Sequence, residues 1–232
     1  MPYVIISIDP GLTGGIAIID GRKRPKITRM PVVSVMRNKK KKNEYNLEKI
    51  VEICKEYIDK DVVCAVERQS VRPGEGNVSG FTTGVGYGSL KGIAVALGFK
   101  LLTIVPAVWK RHHKELDTEL FLELRKEIKD IKQKSKVTKD KALKKQYKTD
   151  IARANRKLKY EAKKQSRLLC QKKYSRLKNE LKLVKDDGKS DALLMGLYVR
   201  DNINELVPTN ENEETEPILA SNANKAAKKT KR

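Results

Sequence analysis

A carboxylate at the end of an apolar run can hold a cation against a phosphate, and this chain offers three such places. The first is Ile8-Asp9-Pro10-Gly11-Leu12-Thr13-Gly14-Gly15: an acid, a glycine-rich turn, then a second apolar run. The second is Cys64-Ala65-Val66-Glu67, and the third is Asp186-Asp187-Gly188-Lys189-Ser190-Asp191, which leads into Ala192-Leu193-Leu194. The spacing of Asp187 and Asp191 sets both on one helical face if the helix begins by Asp187. The glycines of the first phrase are expected to let a phosphate backbone come close. Clustered acids disfavour one another's ionisation, and a divalent cation relieves this. Carboxylate and water ligands suit Mg²⁺ or Mn²⁺. Two such ions about 3.5–4 Å apart can activate a water and stabilise a leaving 3′ oxygen in an in-line displacement. The two histidines and three cysteines form no cluster that would suit zinc.

The hydropathy pattern predicts the elements that must position these acids. Tyr3 to Asp9 and Gly15 to Asp20 read as strands of an antiparallel hairpin, with the turn between them. Ile27 to Val35 reads as a third, weaker strand and Lys39 to Lys42 as a solvated basic loop. From Asn46, a plausible N-cap, Leu47, Ile50, Val51, Cys54 and Ile58 fall on one helical face. Asp61 to Val66 is a buried-type strand ending at Glu67. A glycine-rich stretch, Gly74 to Gly88, then leads into a helix over Ser89 to Leu97, and Lys100 to Val105 is a fifth strand stopped by Pro106. Small residues recur at Gly84, Gly88, Gly92 and Ala96, so another backbone can pack closely there. The last apolar helix runs from Ser190 to Asn202. This order fits an α/β fold with a mixed five-stranded sheet. Strands one and four are expected to be central and adjacent, which sets Asp9 beside Glu67. Each acid alone has an ordinary explanation, as a turn residue or as an anion at a helix N-terminus. Their convergence at one sheet edge is what points to chemistry.

Composition limits the partner. The chain has 232 residues, a formal net charge of +22 and a pI of about 9.8. That balance favours a polyanion through phosphate attraction and counterion release. It disfavours a carbohydrate or acetate kinase-like reading of the Asp-Gly hairpin. No long apolar span, signal peptide or amphipathic anchor is evident, so no membrane partner is expected. Scattered Cys54, Cys64 and Cys170 argue against a disulfide framework and for a reducing compartment.

The chain resembles RuvC-like Holliday junction resolvases of the RNase H and integrase superfamily, in the pattern of chloroplast and phage or viral members. The phrases that carry the resemblance are Ile8 to Gly15, Val66-Glu67-Arg68-Gln69, Gly80 to Gly88, Val108-Trp109-Lys110-Arg111 and Asp186 to Leu194, in the family's order. They cover about residues 3–110 and 184–200. The resemblance implies an RNase H-like fold and a homodimeric, metal-dependent endonuclease. Each subunit would nick one of two opposed strands of a four-way DNA junction, leaving 5′-phosphates. It implies that Asp9, Glu67, Asp187 and Asp191 hold two Mg²⁺ ions, with Mn²⁺ a possible substitute, and that Lys110 stands near the scissile phosphate. It makes Gly80 to Gly88 the loop that enters the junction, with Gly80, Phe81, Thr82 and Thr83 at the DNA and Phe81 and Tyr87 as stacking candidates. The helix after it matches the dimer-forming region. Chloroplast members typically carry histidine where this chain has Asp187, so Asp186 and Asp187 both remain candidates for that ligand position.

Two regions lie outside the resemblance. From Glu115 to Leu183 the sequence is rich in Lys, Arg, Glu and Gln, with apolar residues such as Leu116, Leu120, Leu124 and Ile128 at helical spacing. It is expected to form a charged helical hairpin inserted in a nuclease domain spanning residues 1–205. Given a DNA substrate, this hairpin reads as a clamp on a duplex arm. Its phosphate contacts would include Lys134, Lys136, Lys139, Lys144, Lys145, Lys163, Lys164, Lys172 and Lys173, beside Arg111 nearer the site. Residues 206–232 read as a disordered polar and basic tail. His112 and His113 are expected to be exposed, and Trp109 to pack in the core. The expected location is cytoplasmic and nucleoid-associated, or a nuclear, plastid or viral replication site in a eukaryotic host. A broader flap and fork nuclease and a silent branched-DNA-binding module stand as rivals to the resolvase.

Overall fold

The structure, a computed structural model, describes residues 3–37, 39–71 and 74–208. Val4-Ile5-Ile6-Ser7-Ile8-Asp9 forms β1, and Gly15–Asp20 forms β2, antiparallel to it with Asp9 opposite Gly15. β3 (Lys26–Arg29) pairs with the far side of β2. Pro31 then interrupts the chain, because a residue without an N–H cannot continue a ladder. The third strand expected over Ile27 to Val35 is therefore two strands. The second, β4 (Val32–Arg37), leaves the sheet and pairs only with β5 (Lys40–Tyr45). The stretch Lys39 to Lys42 is thus not a loop: it is the turn, with Lys39 at φ 60°, and the start of β5.

Asn46 caps α1 (Leu47–Lys55), its side-chain oxygen accepting from the Lys49 N–H at 3.0 Å. β6 (Val62–Glu67) pairs parallel to β1, and β7 (Lys100–Ile104) pairs parallel to β6. The sheet order is β3-β2-β1-β6-β7, the mixed five-stranded α/β architecture expected from the sequence, with β1 and β6 adjacent. Nearly continuous apolar runs in β1, β2 and β6 follow from burial on both faces. On one face lie Ile6, Ile8, Ile16, Ile50, Cys54 and Leu90; on the other lie Ile5, Ile19, Ala65, Trp109, Leu193 and Leu197.

Between β6 and β7 runs α2 (Asn77–Ala96), a 20-residue helix that includes the stretch read from sequence as a glycine-rich loop. Glycine is a poor helix former, but here tertiary packing decides. The Tyr45 ring lies against Gly86, where a Cβ would collide with it. After β7, Pro106 starts α3 (Pro106–His112) rather than merely ending the strand.

The charged segment is a helical hairpin, α4 (Glu119–Val137) and α5 (Lys141–Lys173). Thr118 and Asp140 cap the two helices with side-chain oxygens. Its apolar seam is thin: Leu124, Ile128 and Ala154 are buried. The C-terminal part of α5 is not an appendage, since Leu169 and Cys170 join the main core together with Leu177 and Leu181. A 3₁₀ turn (Val184–Asp186) then feeds α6 (Asp187–Asp201), which starts three residues before the position read from sequence and is followed by a short α7 (Ile203–Leu206). The tail expected from 206 onward falls, from residue 209, outside the described residues. Among the described residues, no helix is long and apolar enough to cross a membrane.

Candidate active site

The β1–β2 turn and the start of α6 meet backbone against backbone. A Cβ at Gly15 would stand 2.7 Å from the Lys189 nitrogen, and one at Gly188 would stand 2.5 Å from the Gly14 carbonyl carbon and the Thr13 oxygen. Gly14 and Gly15 of the first acidic phrase therefore admit the start of a helix. Ser7 reinforces the contact, its hydroxyl donating to the Ala192 carbonyl at 2.7 Å. This packing carries Asp187 and Asp191 to the edge of the sheet where Asp9 and Glu67 end their strands.

Three of the acids form one electrostatic unit. Burial pushes the Asp9 carboxyl well above the usual carboxylate range, the charges of Asp191 and Glu67 push it further, and Lys110 and Lys163 pull it back. Burial also raises Glu67, against the Trp109 indole N–H that donates to Oε1 at 2.9 Å and against the Lys110 charge. Asp191 is raised by burial, opposed by Lys110, a hydrogen bond from Ser166, and Lys163. Its Oδ1 is buried without a hydrogen-bond partner. Buried polar atoms are almost always satisfied, so such an oxygen marks a place for something further.

Asp187 and its neighbour take different roles. Asp187 is paired with the Lys163 ammonium, which α5 brings into the site. Burial works against the ionisation of Asp186, but Arg29, at 2.6 and 3.1 Å, the Leu183 N–H at 2.9 Å and Lys189 at 3.1 Å together hold its carboxyl below the usual range. Asp186 thus fastens the 3₁₀ turn to β3. Removing its guanidinium partner leaves a buried carboxylate held only by Lys189 and one amide. Arg29 is itself half exposed, which lessens the effect. Arg29→Ala is expected to cost about 1–2 kcal/mol at pH 7. A carboxyl depressed in the fold stabilises above its unfolded value and loses that contribution as pH falls through the folded one. The difference between the two proteins in urea unfolding should therefore shrink below about pH 4.

Other expected residues are placed as follows. Lys110 is on α3, its ammonium 4.9 Å from the Trp109 ring centre and close enough to act on all three coupled acids. Trp109 is fully buried, as expected, and additionally orients Glu67. Arg111 and His112 are exposed; His113 is not, contrary to expectation, because its ring reaches the Leu194 carbonyl at 2.8 Å. Gly80, Phe81, Thr82 and Thr83 form an early turn of α2 rather than a loop. Phe81 is 72% exposed, while Tyr87 is half buried under Lys91. Lys144, Lys145 and Lys164 are exposed on α5, but Lys163 points to the acids. Sequence reasoning missed Arg29, Tyr45 and Ser166. No local signal marks them, because their roles arise from pairing across the fold. Tyr45 accepts the Gly11 N–H at 2.8 Å and so braces the turn after Asp9.

A divalent cation fits this donor set. Its members are oxygen ligands whose mutual repulsion a cation relieves, and Asp191 Oδ1 has no partner. Among the described residues, no three His, Cys, Asp or Glu side chains converge tightly enough to enclose an ion unaided.

Comparison with known proteins gives partial likenesses. No protein-family model matches the chain, and no curated protein matches it. A solved structure of Thermus thermophilus RuvC in complex with Holliday junction substrate is similar, at 15% identity over 47% of this chain and 69% of that one, with a TM-score of 0.31. A second Thermus thermophilus RuvC structure is similar at 18% identity over 53% of this chain and 78% of that one, with a TM-score of 0.30.

Proposed function

We propose that the chain is a metal-dependent endonuclease that resolves four-way DNA junctions. The observation that carries this reading is the trio Asp9, Glu67 and Asp191, raised together by burial, with an unpartnered oxygen among them and two lysines at their rim. A pure DNA-binding module gains nothing from burying negative charge where phosphates must come.

In this reading Asp9, Glu67, Asp187 and Asp191 would hold Mg²⁺, for which Mn²⁺ could substitute, Asp187 by exchanging its Lys163 partner for the ion. Such an ion would supply Lewis acidity, activating water and offsetting phosphate charge. The chain's own groups do the rest. Trp109 fixes the Glu67 carboxylate by its indole N–H. Lys110 and Lys163 set positive charge where a phosphate gains negative charge during displacement, which is most effective in a partly dry site. Tyr45 holds the turn after Asp9. Exposed lysines of the α4–α5 hairpin, Lys144, Lys145 and Lys164 among them, bind a duplex arm through phosphates, which positions without specifying sequence.

The same reading makes the protein a homodimer through α2. Val78, Phe81, Val85, Gly88, Gly92 and Val95 recur at alternating spacings of three and four, the seam of a helix pair. The four apolar side chains of this seam are exposed, and a Cβ at Gly88 or Gly92 would meet nothing within 4 Å. An exposed apolar stripe of this kind marks an interaction surface. Thr82 and Thr83, off this seam, are left to face the junction. Val85→Arg should convert dimer to monomer in sedimentation. It should also uncouple the paired nicks, so that nicked junctions accumulate while duplex binding by each monomer persists.

The test of function is cleavage of a labelled mobile four-way junction with Mg²⁺, beside a flap, a fork and a linear duplex. Symmetric paired nicks confined to the junction are expected. Equal cutting of flaps and forks would make it a broader branched-DNA nuclease, and binding without cutting under Mg²⁺ or Mn²⁺ would make it a binding module.

A further inference from the structure

The β4–β5 ribbon is not accounted for by the site. It leaves the sheet after Pro31, and nearly all of its described residues are exposed or half exposed. A two-stranded ribbon alone in water is marginal, so its sequence asks for a purpose. Its turn and second strand open with Lys39-Lys40-Lys41-Lys42, all exposed. Cross-strand partners share a face. Met36 with Lys41, Ser34 with Asn43 and Val32 with Tyr45 therefore line one side. Lys40 and Lys42 lie on the other.

The two sides differ in chemistry. The first carries residue types that meet base edges: an amide, a hydroxyl, and a methionine that is 68% exposed. Ser34 donates to Asn43 Oδ1 at 2.7 Å, which fixes the amide and leaves its NH₂ as the donor. The second side and the turn carry lysines suited to phosphates. Six residues per strand extend about 20 Å, and a ribbon of two strands fits the major groove of B-DNA, about 12 Å wide. At its root Tyr45 bonds the Gly11 N–H and lies against Gly86, so the ribbon springs from beside the Asp9 turn.

We infer that the β4–β5 ribbon is a DNA finger that enters the groove of the duplex leading into the active site, with Lys39, Lys40 and Lys42 on the flanking phosphates and the Ser34–Asn43–Met36 side, which also carries Lys41, toward the bases. The inference rests on the reading of this chain as a DNA-acting protein, but it does not require cleavage or junction selectivity.

The experiment measures binding of the full chain, in EDTA so that nothing is cut, to a four-way junction and to a plain duplex across a salt series. Lys39→Ala/Lys40→Ala/Lys42→Ala is compared with the parent chain. Three lost phosphate contacts are expected to lower the slope of log K against log salt by about 2–3 and to weaken binding at least about tenfold near 0.1 M salt, on both DNAs. Lys42→Glu, a single exposed change with an unchanged melting curve, should act in the same direction. Asn43→Ala should leave the slope unchanged and flatten the preference among duplex sequences. Unchanged affinity and slope in both lysine variants would overturn the finger. Loss of binding in the variants, beside a parent chain that cuts no junction, would keep the finger and remove the resolvase reading.

Discussion

Replacing Asp9 with Asn is expected to abolish cleavage, by about 10³-fold or more, while leaving junction binding intact and raising the melting temperature of the metal-free protein. The two effects share one cause. Asp9 is buried against Asp191 and Glu67, and its carboxyl is raised well above the usual range. A group raised in the fold binds protons there that the unfolded chain has already released. The metal-free fold therefore loses stability as pH rises from the ordinary carboxylate value to the raised one. An amide of the same shape removes that penalty, so Asp9→Asn should melt higher than the parent in EDTA at pH 7, and the gap should close toward about pH 4. Mg²⁺ should raise the melting temperature of the parent and do little for the variant, since only the parent has charge to relieve. Cleavage by Asp9→Asn, or a lower metal-free melting temperature, would remove Asp9 from the site. Because binding protons and binding metal compete for the same oxygens, metal affinity should also weaken as pH falls.

The second large effect needs no charge at all. Gly188→Ala places a methyl group 2.5 Å from the Gly14 backbone, where no side chain can swing away. The helix must shift outward from the hairpin, at a cost of about 2–3 kcal/mol. Asp187 and Asp191 travel with it. A displacement near 1 Å is enough to cost about 100-fold in rate. The variant should remain folded by circular dichroism, melt lower, and cleave about a hundredfold more slowly with little change in DNA affinity. Unimpaired cleavage would mean that the α6 register is not what sets the site.

The acids of the site were legible in the sequence because each ends or begins an element whose apolar run is itself legible. Asp9 and Glu67 close buried strands, and parallel pairing of those strands follows from the element order. What pairs across the fold was not legible. Nothing local distinguishes Asp186 from Asp187; only the fold shows that Arg29, which comes from β3, binds the first of them. Lys163 looked like one of many lysines on a solvated helix, and only the docking of α5 on α6 brings it to Asp187. The stretch Gly74 to Gly88 misled because glycine content argues for a loop by propensity, whereas Gly86 is required by a tyrosine ring from another element. Lys39 to Lys42 misled for the opposite reason. A basic run with no apolar alternation carries no strand signal, and the strand exists because β4 offers it an edge.

One more consequence follows from the length of α5. It is a single unbroken helix of 33 residues, about 50 Å at 1.5 Å per residue. Its outer end is the arm, its inner end is held by Leu169 and Cys170, and Lys163 stands close to that fixed end. Such a rod has leverage. A tilt of a few degrees about its anchored end sweeps the tip through several ångströms but moves Lys163 only slightly. In the proposed reading the far end would follow a bending duplex while the inner end of α5 stays fixed on α6, so the arm would gain its reach without loosening the acidic cluster.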